Sequence, residues 1–284
     1  MSGSAPHEAS LWKILIQRRS VLVCLVILAI FLVAAILAEV ISPFGPAEMS
    51  IRNRLSSPDT KWFLGTDEFG RDVLTRLIYA GRVSLTVGFG VALLSSIMGI
   101  ILGLLAGFFR RLDAPMSRFI DAMMAFPDIL LAISLVAALG GSVFNVVLAL
   151  SIVYAPRIAR TVRASTLVIR ELAYVEAAHA LGTSTWRILV FHILRNMVSP
   201  IIVQATFIFA YAMLAEAGLS FLGVGINPDT PTWGTMINAG RQYIGLADWM
   251  ILAPGIAITL CALSLQIVGD GLRDALDPRL SKEM

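Results

Sequence analysis

The sequence predicts an all-α, polytopic membrane protein with six transmembrane helices. Three observations carry the prediction. First, the 284 residues are 57% hydrophobic and only 14% charged, with a mean hydropathy of +0.82, whereas a water-soluble domain carries about 25% charged residues. Second, apolar runs of about 20 residues recur along the chain, long enough as helix to cross a hydrocarbon core of about 30 Å. Third, the runs are separated by Pro, Gly and clustered charge, the residues that stop helices or stay in water. The same composition excludes other classes. The two cysteines, Cys24 and Cys261, both lie in apolar runs, so no disulfide framework and no metal spacing is present. A pI near 9.1 does not point to nucleic acid, because membrane proteins gather Lys and Arg in cytoplasmic loops to set their orientation.

A basic tail (Lys13, Arg18, Arg19) leads into the first span, residues 21–41. This run is longer than the apolar core of a signal peptide and reads as an uncleaved helix. Ser42-Pro43-Phe44-Gly45-Pro46 ends it. An external segment follows. Residues 65–70 are turn-like, and from Asp72 the residues Val73, Leu74, Leu77 and Ile78 mark one face of an amphipathic helix expected to lie at the outer interface. Asp59, Asp67, Glu68 and Asp72 interleave with six Lys and Arg there, which predicts a folded, salt-bridged segment. The second span is expected over residues 83–109. Its Gly99, Gly103 and Gly107 share one helical face and suit close helix contact. The third and fourth spans are expected over 119–139 and 143–159, the fifth over 198–222 and the sixth over 250–268. The stretch 225–234 reads as a rigid Pro- and Gly-bounded loop, and Trp233 and Trp249 suit the membrane interface.

With the N-terminus inside, fifteen of the 22 Lys and Arg fall on the inner side, which places both termini in the cytoplasm. The longest polar interruption of the C-terminal two-thirds is residues 157–200. Residues 171–181 favour helix. Gly182 suits the left-handed position that ends a helix, and Thr183, Ser184 or Thr185 caps the next one. The expected result is a helix, a sharp turn and a second helix outside the membrane, between spans four and five.

Glu176-Ala177-Ala178, three further residues and Gly182 resemble the EAA loop of ABC-transporter inner-membrane permeases. Ile193-Leu194 stand where that family continues with Ile-x-Leu-Pro, with Arg195 at the usual proline position. Gly65-Thr66-Asp67, Gly70-Arg71-Asp72 and Gly81-Arg82-Val83-Ser84-Leu85 resemble the N-terminal signature of the dipeptide/oligopeptide/nickel class. Residues 120–131, 216–223, 231–234 and 269–279 resemble the same class, so the likeness covers about residues 60–280. It implies one permease subunit of an ATP-driven importer. The implied partners are a homologous second permease, two ATP-binding subunits, an external solute-binding protein facing the 225–234 loop, and the lipid bilayer of a bacterial inner membrane. Glu176, Ala177, Ala178 and Gly182 would dock on an ATP-binding subunit. ATP and Mg would be bound there and no cofactor here. Peptides, nickel, glutathione and other peptide-like solutes are the implied cargo. Residues 1–82 then form a tail, first helix and external segment, and 83–284 a permease core with its EAA loop at about 157–197.

No Walker loop, Gly-x-Ser-x-Gly elbow or His-Glu-x-x-His occurs, and His7, His179 and His192 are scattered, so a non-catalytic subunit is expected. The intramembrane carboxylates are the other signal. Asp121 and Asp128 flank Pro127, and Glu216 lies in span five. Asp128 and Glu216 are candidates to line a passage for a cationic or zwitterionic solute. Equally, each acid suits a structural role, Asp121 beside Arg118 or a neighbour and Glu216 bonding across helices. An ion-gradient-driven transporter or channel relaying protons through Asp128 and Glu216 is the alternative function, although the two halves show no inverted repeat.

Overall fold

The computed structural model describes residues 18–276. Lys13, His7 and the C-terminal Asp277-Pro278-Arg279 string lie outside them. Among the described residues the fold is helical, and the only pairing of extended backbone is an isolated bridge between Thr66 and Asp72. Helix α1 (Arg19–Ile36) continues after a break at Leu37 as one short turn, Ala38–Ile41. Cys24 and Cys261 are free and buried.

Helix α2 (Val73–Phe108) has 36 residues, about 54 Å at the usual rise and well beyond the bilayer core. The expected interfacial helix and second span are therefore one element. Its start is set by Asp72, whose carboxylate accepts from the Thr75 backbone N–H at 2.8 Å. No residue between Asp72 and Val83 breaks a helix. Part of the apolar face expected at the outer interface packs on protein: Val73 is buried and Leu77 partly buried in a cluster with Trp233, Met236 and Met250. The segment before it is folded by Asp67, which accepts from the backbones of Phe69 and Arg71, both at 2.9 Å, and from Arg71 Nε at 2.6 Å.

Helices α3 (Arg110–Ala125) and α4 (Asp128–Leu139) cover the expected third span, 119–139, and meet at 94°. Pro127 explains the break. It lacks an N–H and pushes Phe126 to extended backbone, φ −80° and ψ 141°. Helix α5 (Val143–Ile169) runs ten residues past the expected end of span four. Arg157, Arg160 and Arg163 therefore ride on a helix, and the polar loop is shorter than the sequence suggests. Next come α6 (Ala173–Ala180), a run of α, π and 3-10 turns over Thr185–Arg187, Ile188–Ile193 and Leu194–Met197, and α7 (Val198–Phe221). With Arg195 in place of proline, the chain changes helix type there rather than stopping.

Helix α8 (Trp233–Gly240) begins inside the expected 225–234 loop, where Thr232 and Thr235 form a reciprocal cap. Trp233 is no interfacial anchor. It is 1% exposed, donates Nε1–H to the Leu77 carbonyl at 3.0 Å and meets Phe31 edge-on. Helix α9 (Trp249–Leu276) is the last, and Trp249 donates to the Thr66 carbonyl. Among the described residues five helical runs are long and apolar enough to cross a membrane, six if the bent α3–α4 pair is counted as one span.

The centre of the bundle is α2 against α5. A Cβ on Gly99 would lie 2.5 Å from Ile158 Cβ, one on Gly103 2.6 Å from the Ala159 carbonyl, and one on Gly107 2.6 Å from Thr166 Cβ. The small face lets the two backbones meet, as the glycine spacing predicts.

Candidate functional site

The segment joining α5 to α7 is built on α6. Val175 (0% exposed) and Ala178 (7%) turn inward and pack in one cluster with Ile188, Leu189 and Ile193. Glu176, Ala177, His179 and Ala180 face out. Gly182 has φ +73°, its N–H bonds the His179 carbonyl at 3.0 Å, and the Thr183 N–H bonds the Ala178 carbonyl at 3.0 Å. This is the paired closure of a glycine-terminated helix. Beyond it, Leu181 is 86% and Trp186 73% exposed. Of the four residues singled out in the sequence, three are open to a neighbour, and Ala178 instead anchors the helix.

Side chains tie α6 to the bundle. Arg170 donates Nη1–H to the Gly107 carbonyl at 2.7 Å, at the last turn of α2. The His179 ring stacks on Phe108, centroids 5.9 Å apart. Tyr174 donates its hydroxyl to the His192 carbonyl at 3.3 Å, and Asn196 Nδ2 donates to the same carbonyl at 2.7 Å. Both histidines are thus held in the packing of the loop. No local sequence signal marks the Arg170 contact, which joins residues 63 positions apart.

A second set of residues lies along α5. Arg163 pairs with Asp113 at 2.6 Å, Arg160 with Asp121 at 2.6 Å, and Arg157 with Asp128. Residues three apart on a helix share a face, so the three arginines form one stripe that α3 and the start of α4 cross obliquely. Asp121 is held by Arg160, not by Arg118. The Arg157 guanidinium also sits 5.4 Å from the Tyr154 ring and 5.5 Å from the Tyr211 ring, close enough for cation–π attraction. The three-residue Arg spacing was visible in the sequence. What hid the ladder was reading Arg157–Arg163 as loop.

Glu216 is 1% exposed. It accepts from Ser220 Oγ at 2.8 Å and Thr232 Oγ1 at 2.9 Å, with Ser84 Oγ at 3.5 Å. These hydroxyls satisfy both carboxylate oxygens and join α2, α7 and the α8 cap. Glu216, a candidate for lining a passage, is enclosed by these hydroxyls between α2, α7 and the α8 cap. Asp128 sits on an open face, with its side chain 35% exposed.

The family described as "Binding-protein-dependent transport system inner membrane component" matches residues 99–282, and the "N-terminal TM domain of oligopeptide transport permease C" matches residues 9–58. A putative peptide transport system permease protein of Brucella suis is 50% identical over 269 residues, 95% of this chain and 91% of the relative. The dipeptide transport system permease protein DppC of Alkalihalophilus pseudofirmus is 44% identical over 270 residues, 95% and 89% of the two chains. The glutathione transport system permease protein GsiD of Pectobacterium atrosepticum is 36% identical over 271 residues, 95% and 90%. Among solved structures, an inward-facing MetNI methionine ABC transporter gives a TM-score of 0.57 at 17% identity, over 71% of this chain and 97% of the other, a likeness of fold. With nearly its whole length aligned and its helical bundle shared, this chain belongs to the family of binding-protein-dependent transport system inner membrane components, the permeases of ABC importers.

Proposed function

We propose that this permease is one of two homologous membrane subunits of an importer for peptides or peptide-like solutes, driven by two ATP-binding subunits that dock on α6. The observation that carries the docking assignment is the outward face of α6. Glu176 and Ala177 are exposed, the small alanine permits close approach, and Leu181 and Trp186 present bare apolar surface beside them. An exposed apolar patch of this kind marks a partner surface. Glu176 belongs to none of the ion pairs among the described residues, so its charge is available to fix register. The α6 side is cytoplasmic, both termini lie there, residues 1–82 supply the tail, first helix and external segment, and 83–284 the permease core. ATP and Mg bind in the ATP-binding subunits. The peptide assignment rests on what the relatives are named for. An external binding protein delivers the solute.

The ion-gradient alternative is not favoured, because nearly the whole chain aligns with permeases of transport systems. The test is reconstitution of the permease with its partners in proteoliposomes. ATP-dependent uptake, together with cross-linking from a cysteine at position 177 to an ATP-binding subunit, is expected. Uptake that persists without ATP-binding subunits, or labelling of position 177 from the external side, would overturn the reading.

A further inference from the structure

The ion pair Asp128–Arg157 lies where three helices meet. Arg157 is 14 residues from one end of α5 and 12 from the other, about 21 and 18 Å along the axis. Tyr211 lies near the middle of α7, 13 residues after Val198 and 10 before Phe221. Asp128 opens α4, which has only 12 residues, about 18 Å or half a bilayer core. Three helices thus bring a guanidinium, a carboxylate and two tyrosines together partway along the bundle.

The pair is also open. The Arg157 and Asp128 side chains are 32% and 35% exposed, and Phe126 beside them is 61% exposed. An ionised side chain facing lipid is costly, about 2.5 kcal/mol or more per group at the bilayer centre on insertion scales. This face therefore meets water or a second chain rather than acyl tails. The pair differs from Glu216, which is 1% exposed and enclosed by hydroxyls.

We propose that Asp128 and Arg157, flanked by Tyr154 and Tyr211, form a midway binding site in the translocation passage for the charged termini of a zwitterionic peptide. The inference rests on the importer reading and adds the contact residues. The guanidinium fork takes the terminal carboxylate in a bidentate pair. Asp128 takes the terminal ammonium, and the tyrosine rings flank both. The site is neutral overall, so it repels neither end of a zwitterion. One internal ion pair opens as two to the solute form, and it closes again when the solute leaves. That exchange keeps binding weak, as a passage requires.

The experiment is uptake of a labelled dipeptide by the complete reconstituted complex carrying Asp128→Asn, Arg157→Gln, both together, or Arg157→Lys. Each single neutral change is expected to lower uptake tenfold or more. The double change removes both charges together and leaves no orphaned ion, yet it is expected to remain as low. Arg157→Lys keeps the charge and covers the case in which neutral variants fail to assemble; it is expected to lose at least threefold, because an ammonium lacks the planar fork. Wild-type uptake by the double variant marks the pair as purely structural and overturns the proposal, as does wild-type uptake by Arg157→Lys. A wild-type complex with no ATP-driven dipeptide uptake defeats the importer reading and this site with it. Intact wild-type uptake with unaffected variants defeats the site alone.

Discussion

Arg170, one residue past α5, reaches across to the Gly107 carbonyl at 2.7 Å and closes the C-terminal turn of α2. Helix ends leave carbonyls unpaired and carry partial negative charge, so a guanidinium satisfies both needs there. The contact makes the end of α2, the end of α5 and the start of α6 one mechanical body. A force applied to α6 therefore reaches the two central helices without passing through a flexible joint. Arg170→Ala is expected to cost about 1.5–3 kcal/mol, the range for a hydrogen bond from a charged group. It should also raise the ATP consumed per solute imported. Thermal unfolding in detergent and a transport-to-hydrolysis ratio in proteoliposomes measure the two effects. An unchanged ratio with lowered stability would show the contact to be structural only.

The glycine face of α2 gives a sharper stability prediction. A Cβ at Gly103 would lie 2.6 Å from the Ala159 carbonyl and 2.6 Å from Val162 Cβ. Neither neighbour is the free end of a flexible side chain, so α2 and α5 must separate to admit it. Gly103→Val is expected to destabilise the chain by more than the about 1–3 kcal/mol typical of an overpacked core. Gly255, where an added Cβ meets nothing within 4 Å, serves as control, and Gly255→Ala should leave the melting temperature within a degree or two. Equal melting temperatures for the two variants would refute the contact.

At the end of α6, Gly182 separates backbone strain from crowding. Its φ is +73°, yet an added Cβ would meet nothing within 4 Å. Gly182→Ala therefore costs only the left-handed strain, about 1–2 kcal/mol, and uptake should be reduced but present. Gly182→Pro cannot take that φ and also loses the N–H bonded to His179, so the closure of α6 should be lost and uptake abolished. Glu176→Lys leaves the fold intact, because the side chain is exposed. It is expected to uncouple hydrolysis from uptake while the binding protein still captures solute. Normal uptake with Glu176→Lys would remove Glu176 from the docking surface.

The helices and the α6 turn were legible because the signals are local: apolar runs long enough to cross, Gly182 after a helix-favouring stretch, and glycines four residues apart on α2. What was hidden depends on contacts between residues distant in sequence. Residues 73–78 looked like a lipid-facing amphipathic helix because their true neighbours, Trp233 and Met250, come more than 150 residues later. The same partnership turned Trp233 from an expected anchor into core. Arg157, Arg160 and Arg163 read as loop because charge usually ends a span, whereas here each is matched by an aspartate from α3 or α4. Pro127 announced a bend, but nothing local to it sets the size, 94°.

Glu216 offers a last test, of whether a buried acid in this family member is packing or passage. Thr232 and Ser220 donate to one of its oxygens, and Thr232 also caps α8. Replacing the acid with leucine would strand those hydroxyls away from water, at about 1–3 kcal/mol for each group left unpaired. Glutamine keeps a carbonyl acceptor in the same place. Glu216→Leu is therefore expected to lower the melting temperature and the yield of folded chain, and Glu216→Gln to change both little. Because no open path reaches the carboxylate, Glu216→Gln should also import the same solutes at close to the wild-type rate. A stable Glu216→Gln variant with altered solute selectivity would mean that the hydroxyl cage opens during the transport cycle and exposes the acid to cargo.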